Sequence, residues 1–264
     1  MADFDLRKLQ LIELDILLEI DRICKKHGIE YFLIAGTLLG AVRHRGFIPW
    51  DDDIDIAMPI DDYKKFCRVC KKEMREPYFL QNHNTDNYHM WYAKVRKSGT
   101  VFLEQGFENR KMHHGVWVDI FPIIGVRDDE KWLRRINRTV TPFRILMKKK
   151  MEALPWKERS LISKLISLIP LPVVRLIVNA GYSLCFKDFR QFEKCFCIIE
   201  TRTIVPSFKS EWFLSACDVE FEGHMLPAPV GWHDFLTTRY GDYMTPPPPD
   251  ERKGGLHVIT RVEI

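Results

Sequence analysis

The chain has 264 residues, 46% hydrophobic and 29% charged, with a net charge of +4. This composition provides a core for one large domain, or for one core carrying an insertion. The small charge makes no case for a nucleic-acid partner, and seven scattered cysteines, an odd number, argue against a disulfide framework and for reduced, mostly buried thiols.

Residues 6–27 are predicted to form an amphipathic helix, because Leu9, Ile12, Ile16, Ile20 and Ile23 recur at helical spacing. Asp3 or Asp5 can cap its start, and Gly28 can close it. A short buried strand, Tyr31–Ala35, follows. Gly36-Thr37 then opens a second helix, Leu38 to His44. Gly36 would let the backbone approach an anion, and Thr37 would cap the helix and bond a phosphate oxygen.

The next strand is expected from Asp53 to Met58, and a helix from Asp61 or Asp62 to Lys72. Strands follow at Tyr78–Gln81, Tyr92–Lys97 and Val116–Phe121. From Asp128 the chain turns basic and helical, with Lys148, Lys149 and Lys150 before an apolar stretch, Leu161 to Leu184. Lys164, Pro170, Pro172, Arg175 and Asn179 interrupt that stretch, which makes it a poor membrane span. Phe221–Pro227 reads as a hairpin, Gly231–Arg239 as a short helix and Pro246–Pro249 as a stiff extended segment. The expected division is a catalytic core over 1–127, a helical insertion over 128–200, and a C-terminal segment over 201–264 packing back on the core and its site. The start of the sequence has neither a basic nor an apolar leader region, so a cytoplasmic location is expected, compatible with peripheral contact on a membrane's inner face.

Four aspartates fall within five positions in Trp50-Asp51-Asp52-Asp53-Ile54-Asp55. On a strand, Asp53 and Asp55 share one face and Asp51 joins them if the chain is already extended, while Asp52 points away. Carboxylates this close repel one another or take up protons unless a cation neutralises them. Mg2+, or Mn2+ in its place, is the expected ion, because it takes oxygen ligands and retains substrate phosphate oxygens. A calcium loop does not fit, since its sixth position would be Ile56 rather than Gly and its twelfth Asp62 rather than Glu. Asp119, alone in the apolar run Val116–Phe121, is the expected fourth carboxylate, as ligand or as base, with a buried salt bridge as the alternative. Lys94 and Arg96 alternate onto one strand face, where they would neutralise a diphosphate or pair with the acids. Arg43 carries the same two alternatives.

The run Gly36-Thr37-Leu38-Leu39-Gly40-Ala41-Val42-Arg43-His44-Arg45-Gly46-Phe47-Ile48-Pro49-Trp50-Asp51-Asp52-Asp53-Ile54-Asp55-Ile56 resembles the signature of the LicD family. Val118–Pro122 and Tyr240–Met244, followed by Pro246, Pro247, Arg252 and His257, are similar to it as well. The resemblance implies an α+β fold, a nucleotidyltransferase-like mixed sheet flanked by helices. It also implies a divalent metal and a CDP-activated donor. The expected reaction moves a phosphocholine-like group from CDP-choline to a hydroxyl of a cell-surface glycan, such as a teichoic-acid or lipopolysaccharide precursor, free or lipid-linked. By this resemblance Asp53 and Asp55 bind metal with support from Asp51 and Asp119. Gly36 and Thr37 hold donor phosphates, and Trp50, Arg252 and His257 contact substrate. The alternatives are a glycosyltransferase using a nucleotide sugar and a non-catalytic scaffold on a membrane surface.

Overall fold

A computed structural model of the chain describes residues 4–127, 130–151, 154–197, 207–252 and 258–264. Helix α1 (Leu6–His27) begins where the Asp5 carboxylate accepts the N–H of Lys8 at 3.1 Å. It ends at Gly28, whose left-handed φ of 57° turns its N–H back to the carbonyls of Cys24 and Lys25. Strand β1 (Phe32–Leu33) leads into α2 (Ala35–His44), then β2 (Asp55–Pro59) and α3 (Ile60–Glu73). Strands β3 (Tyr78–Gln81), β4 (Ala93–Lys97), β5 (Val101–Glu104) and β6 (Trp117–Val126) complete the first half. Helices α4 (Glu130–Lys150), α5 (Leu161–Leu168) and α6 (Leu171–Cys185) follow, then β7 (Lys194–Cys197) and β8 (Phe208–Lys209). The hairpin β9 (Ala216–Phe221) and β10 (His224–Pro229), helix α7 (Trp232–Tyr240) and strand β11 (Ile259–Glu263) close the chain.

The fold is mixed α+β, with a mixed sheet flanked by helices. Its central strand is β6, buried at all ten positions. One edge of β6 carries β2, in parallel, and β1 lies antiparallel beyond it. The other edge carries β4 along its first half and β7 along its second, both antiparallel. Strand β3 flanks β4, and β8 flanks β7. Helices α1 and α3 pack on this sheet and on each other. A run such as Val118, Ile120, Ile123 and Ile124 belongs at such a position, because a strand covered on both faces needs no polar alternation.

Among the boundaries that differ from expectation, three bear on the site and its strand. Strand β2 begins at Asp55 instead of Asp53, because Asp51 N–H turns back to the Ile48 carbonyl at 2.9 Å and holds the preceding residues in a loop. Helix α2 begins at Ala35 instead of Leu38, so Gly36 and Thr37 lie inside its first turn. Strand β6 runs on to Val126, where β7 gives its far half a partner. That pairing also returns the chain to the sheet at Lys194, inside the segment expected to be helical. Strand β11 was not visible in the sequence. It pairs with β5 and anchors the C-terminal residues to the first half of the chain. The hairpin turns at Glu222 and Gly223, both with positive φ (51° and 78°), the backbone a two-residue hairpin turn requires. Cys24, Cys67, Cys70, Cys185, Cys195 and Cys217 are free thiols.

Candidate active site

Asp55 on β2 stands opposite Asp119 on β6, and Asp119 stands opposite Lys94 on β4. Opposed residues project to the same face of a sheet, so two carboxylates and an ammonium form one row across three strands. Lys94 Nζ lies 3.0 Å from Asp119 and 3.7 Å from Glu104, and 3.9 Å from the centre of the Trp117 ring. Trp117 Nε1 donates to Asp119 at 3.1 Å. Lys94, Asp119 and Trp117 are all nearly inaccessible to solvent, so this pairing is strong and geometrically fixed.

Just before β2, Asp51, Asp52 and Asp53 each bring one carboxylate oxygen within 4.8 Å of the others. Asp52 therefore belongs to the cluster, against the expectation that it points away. The strand alternation behind that expectation does not apply, because these three residues lie in the loop. The first pairing bond comes from Asp119 N–H to the Ile54 carbonyl at 2.9 Å.

Gly36 is where α2 meets this loop. A Cβ there would sit 2.7 Å from Asp51 Oδ2, so glycine is what admits the Asp51 side chain beside the helix start. The positive end of the helix dipole favours a carboxylate there. Thr37 does not cap α2; its hydroxyl accepts the N–H of Asp55 at 2.8 Å. Ala35, at φ 50°, takes the left-handed backbone that α2 needs to start at this point.

Lys94 and Arg96 take the pairing role. Arg96 is 1% exposed, donates to Gln81 and to the Gly115 carbonyl at 2.6 Å each, and lies 3.6 Å from Glu104. Its fork is thus turned to protein acceptors. Arg43 donates to the Tyr243 carbonyl at 2.9 Å and to His44 at 3.0 Å, which ties α2 to the C-terminal segment. Burial, and then the charge of Arg252, lower its pKa. Arg252 lies 4.8 Å over the Trp50 ring. Trp50 and Arg252 are thereby brought together beside the aspartate loop. His257 lies outside the described residues.

Residues 28–158 match the family model described as LicD/FKTN/FKRP, nucleotidyltransferase domain. The chain is also 29% identical to the lipopolysaccharide cholinephosphotransferase LicD of Haemophilus influenzae, over 96% of each chain. The chain belongs to the LicD family. It is 30% identical to the ribitol 5-phosphate transferase FKRP of Mus musculus, over 40% of this chain and 20% of that protein. The human counterpart is 29% identical over the same shares.

Three residues that hold this LicD-family loop escaped the reading of the sequence. Gln10 on α1 donates to the Asp51 carbonyl at 3.0 Å. Glu222, at the tip of the β9–β10 hairpin, accepts the N–H of Phe47 at 3.1 Å and pairs with Arg7 at 2.6 Å. The Arg7 bond holds the Glu222 carboxyl below its usual range. A Cβ on Gly46 would collide with the same carboxylate. The third is Glu13, 1% exposed on α1, with Oε2 lacking any hydrogen-bond partner among the described residues. Its signal was present in the sequence: an acid on the apolar stripe of Leu9, Ile16, Leu17 and Ile20.

Burial pushes the Glu13 carboxyl well above the carboxylate range, and the charges of Asp53, Asp52, Asp51 and Asp119 add to that. Three carboxylates with oxygens within 4.8 Å of one another, and a buried Glu13 oxygen with no hydrogen-bond partner among the described residues, form a donor set that suits a hard divalent cation. The residues present fit the ion that the family implies.

Proposed function

We propose that the chain is a phosphotransferase that moves a phosphocholine-like group from a CDP-activated donor to a hydroxyl of a cell-surface glycan precursor. The observation that carries this reading is the register of Asp55 with Asp119 beside the clustered carboxylates of Asp51, Asp52 and Asp53. The likeness to a lipopolysaccharide cholinephosphotransferase over nearly the whole of both chains supports the choice of group and acceptor.

In this reading Asp51, Asp52 and Asp53, with Asp55 and Asp119 beside them, would hold a magnesium or manganese ion. When bound, the ion withdraws charge from phosphoryl oxygens and favours attack at phosphorus. The acceptor hydroxyl oxygen forms a new bond to the phosphorus that bears the choline-like group. The bond from that phosphorus to the bridging oxygen breaks, and CMP leaves with the electron pair. The hydroxyl proton passes to a carboxylate of the aspartate loop. Asp119 serves as a fixed carboxylate, because the Lys94 ammonium and the Trp117 N–H hold it in place. Gly36 keeps the start of α2 open to Asp51, so the loop and the helix dipole act at one place. Trp50 and Arg252 offer an aromatic face and a cation at the edge of the loop, suited to the donor's nucleotide.

The test is a product assay on the purified chain with magnesium or manganese, offering CDP-choline, CDP-ethanolamine, CDP-ribitol and UDP-sugars in turn. CMP release from a CDP-alcohol, lost in Asp55→Asn with the fold retained, is the expected result. UDP release without CMP release would replace this reading with that of a glycosyltransferase.

A further inference from the structure

Helix α5 is built inside out. Ser163 is its buried residue, fully enclosed, while Leu161, Ile162, Leu165 and Leu168 are 74%, 64%, 58% and 72% exposed. A helix resting on a protein core in water turns its leucines inward and its serines outward. Helix α6 exposes leucines as well. Its inner side is Val174, Val178, Gly181 and Tyr182, and its outer side presents Leu176 and Leu184 at 70% and 76% exposure. An apolar patch of this kind marks an interaction surface.

Charge narrows the choice of partner. Between residues 128 and 194 the sequence has fifteen Lys and Arg against seven Asp and Glu, and no acid at all between Arg159 and Asp188. Lys148 and Lys157 are exposed, and Lys164 lies on α5 itself. Trp156, 54% exposed, lies 5.9 Å from the Lys164 ammonium, an aromatic and a cation together at the rim. A second copy of the chain would bring the same basic rim against itself in a two-fold interface, which is unfavourable. An anionic lipid surface complements both the leucines and the lysines.

Geometry decides how the helices would meet it. No single described helix is long and apolar enough to cross a membrane, and α5 and α6 meet at a bend of 102°. Fifteen residues of α6 reach about 22 Å. That falls short of a hydrocarbon core of about 30 Å. We propose that the outer face of α5 and α6 is a bilayer-docking surface, lying in the plane of an anionic leaflet with its leucines at the acyl boundary and its basic rim on the lipid phosphates. The inference is independent of the donor and acceptor read above, since it rests on neither the aspartates nor the family.

The experiment is flotation of the purified full chain with phosphatidylcholine vesicles, with and without phosphatidylglycerol. The wild type should float with the anionic vesicles and lose affinity in high salt. Leu165→Gln combined with Leu176→Gln should weaken binding about tenfold or more, since each change keeps a core-facing neighbour intact and removes a buried leucine from the lipid. Leu11→Gln, an exposed leucine on α1, should bind as the wild type does. Melting curves verify that each variant folds, and Leu184→Gln alone reads the same quantity should the double variant melt early. The proposal falls if the wild type does not float, if it binds neutral and anionic vesicles alike, or if the substitutions leave flotation unchanged. It also falls if the wild type sediments as a dimer that these substitutions break.

Discussion

The Thr37 hydroxyl accepts the backbone N–H of Asp55 at 2.8 Å, joining the first turn of α2 to the first residue of β2. The two segments that carry the signature are thus linked at the point where the acidic loop becomes strand. Thr37 is buried, so its partner N–H has no water to turn to. Thr37→Val keeps the shape and removes the acceptor, and should cost about 1–3 kcal/mol in urea denaturation. Thr37→Ser retains the oxygen and should cost about 1 kcal/mol or less. A loss in Thr37→Ser with none in Thr37→Val would show that packing of the methyl, not the bond, holds Asp55.

Glycines 36 and 40 sit one turn apart on α2 but should fail differently. A Cβ at Gly36 meets the end of the Asp51 side chain, which can swing aside. Gly36→Ala should therefore leave the melting temperature nearly unchanged and lower transferase activity at least tenfold, about 1.4 kcal/mol in the barrier. A Cβ at Gly40 meets the backbone carbonyl of Gly46, which cannot swing aside. Gly40→Ala should cost about 1–3 kcal/mol of stability. Loss of stability at both positions would mean that the Asp51 carboxylate is held as firmly as backbone.

Glu13 carries a raised pKa in the fold, burial first and the aspartate charges after it. In the unfolded chain it ionises near its ordinary value of 4.5. Above that pH the folded chain retains a proton that the unfolded chain has lost, so stability falls as pH rises. Glu13→Gln removes this penalty. In EDTA at neutral pH the variant should melt at or above the wild type. Magnesium should raise the melting temperature of the wild type more than that of the variant, because only the wild type gains a neutralised carboxylate. A variant that melts lower in EDTA, and gains as much from magnesium, would remove Glu13 from the ion's surroundings.

His89 has the opposite sign. Burial, and then Arg110, Lys148 and Arg144, lower its pKa to about 3. Its Nδ1 lies 3.0 Å from Arg110 Nη1, which can donate only to the neutral ring. Between pH 6.5 and 3 the unfolded chain binds a proton that the fold refuses, so stability falls as pH falls, by up to about 1.4 kcal/mol per pH unit. Moving from pH 6.5 to 5 should therefore cost the wild type about 2 kcal/mol through this residue. In His89→Gln that part of the slope should vanish from urea titrations at the two pH values. Burial lowers His83 and His113 in the same direction, so some slope remains.

Local chemistry in the sequence determined a good deal. The period of α1, its Gly28 end, the hairpin around Glu222-Gly223 and the strands β2, β3, β4 and β6 are short-range signals, and each was legible, whereas β5, β7, β8 and β11 were not. So was the concentration of charge in Asp51–Asp55 and the isolated Asp119. Tertiary structure alone decided which of these residues meet. Register set Asp55 against Asp119 and Asp119 against Lys94, and no spacing within one segment encodes the register between strands so far apart in sequence. A turn at Ile48 decided that Asp52 joins the cluster. Long-range packing brought Gln10, Glu13 and Glu222 to one loop from both ends of the chain. The sequence placed acids close together along the chain; the fold decided which of them meet, because distance between side chains belongs to packing and not to order along the chain.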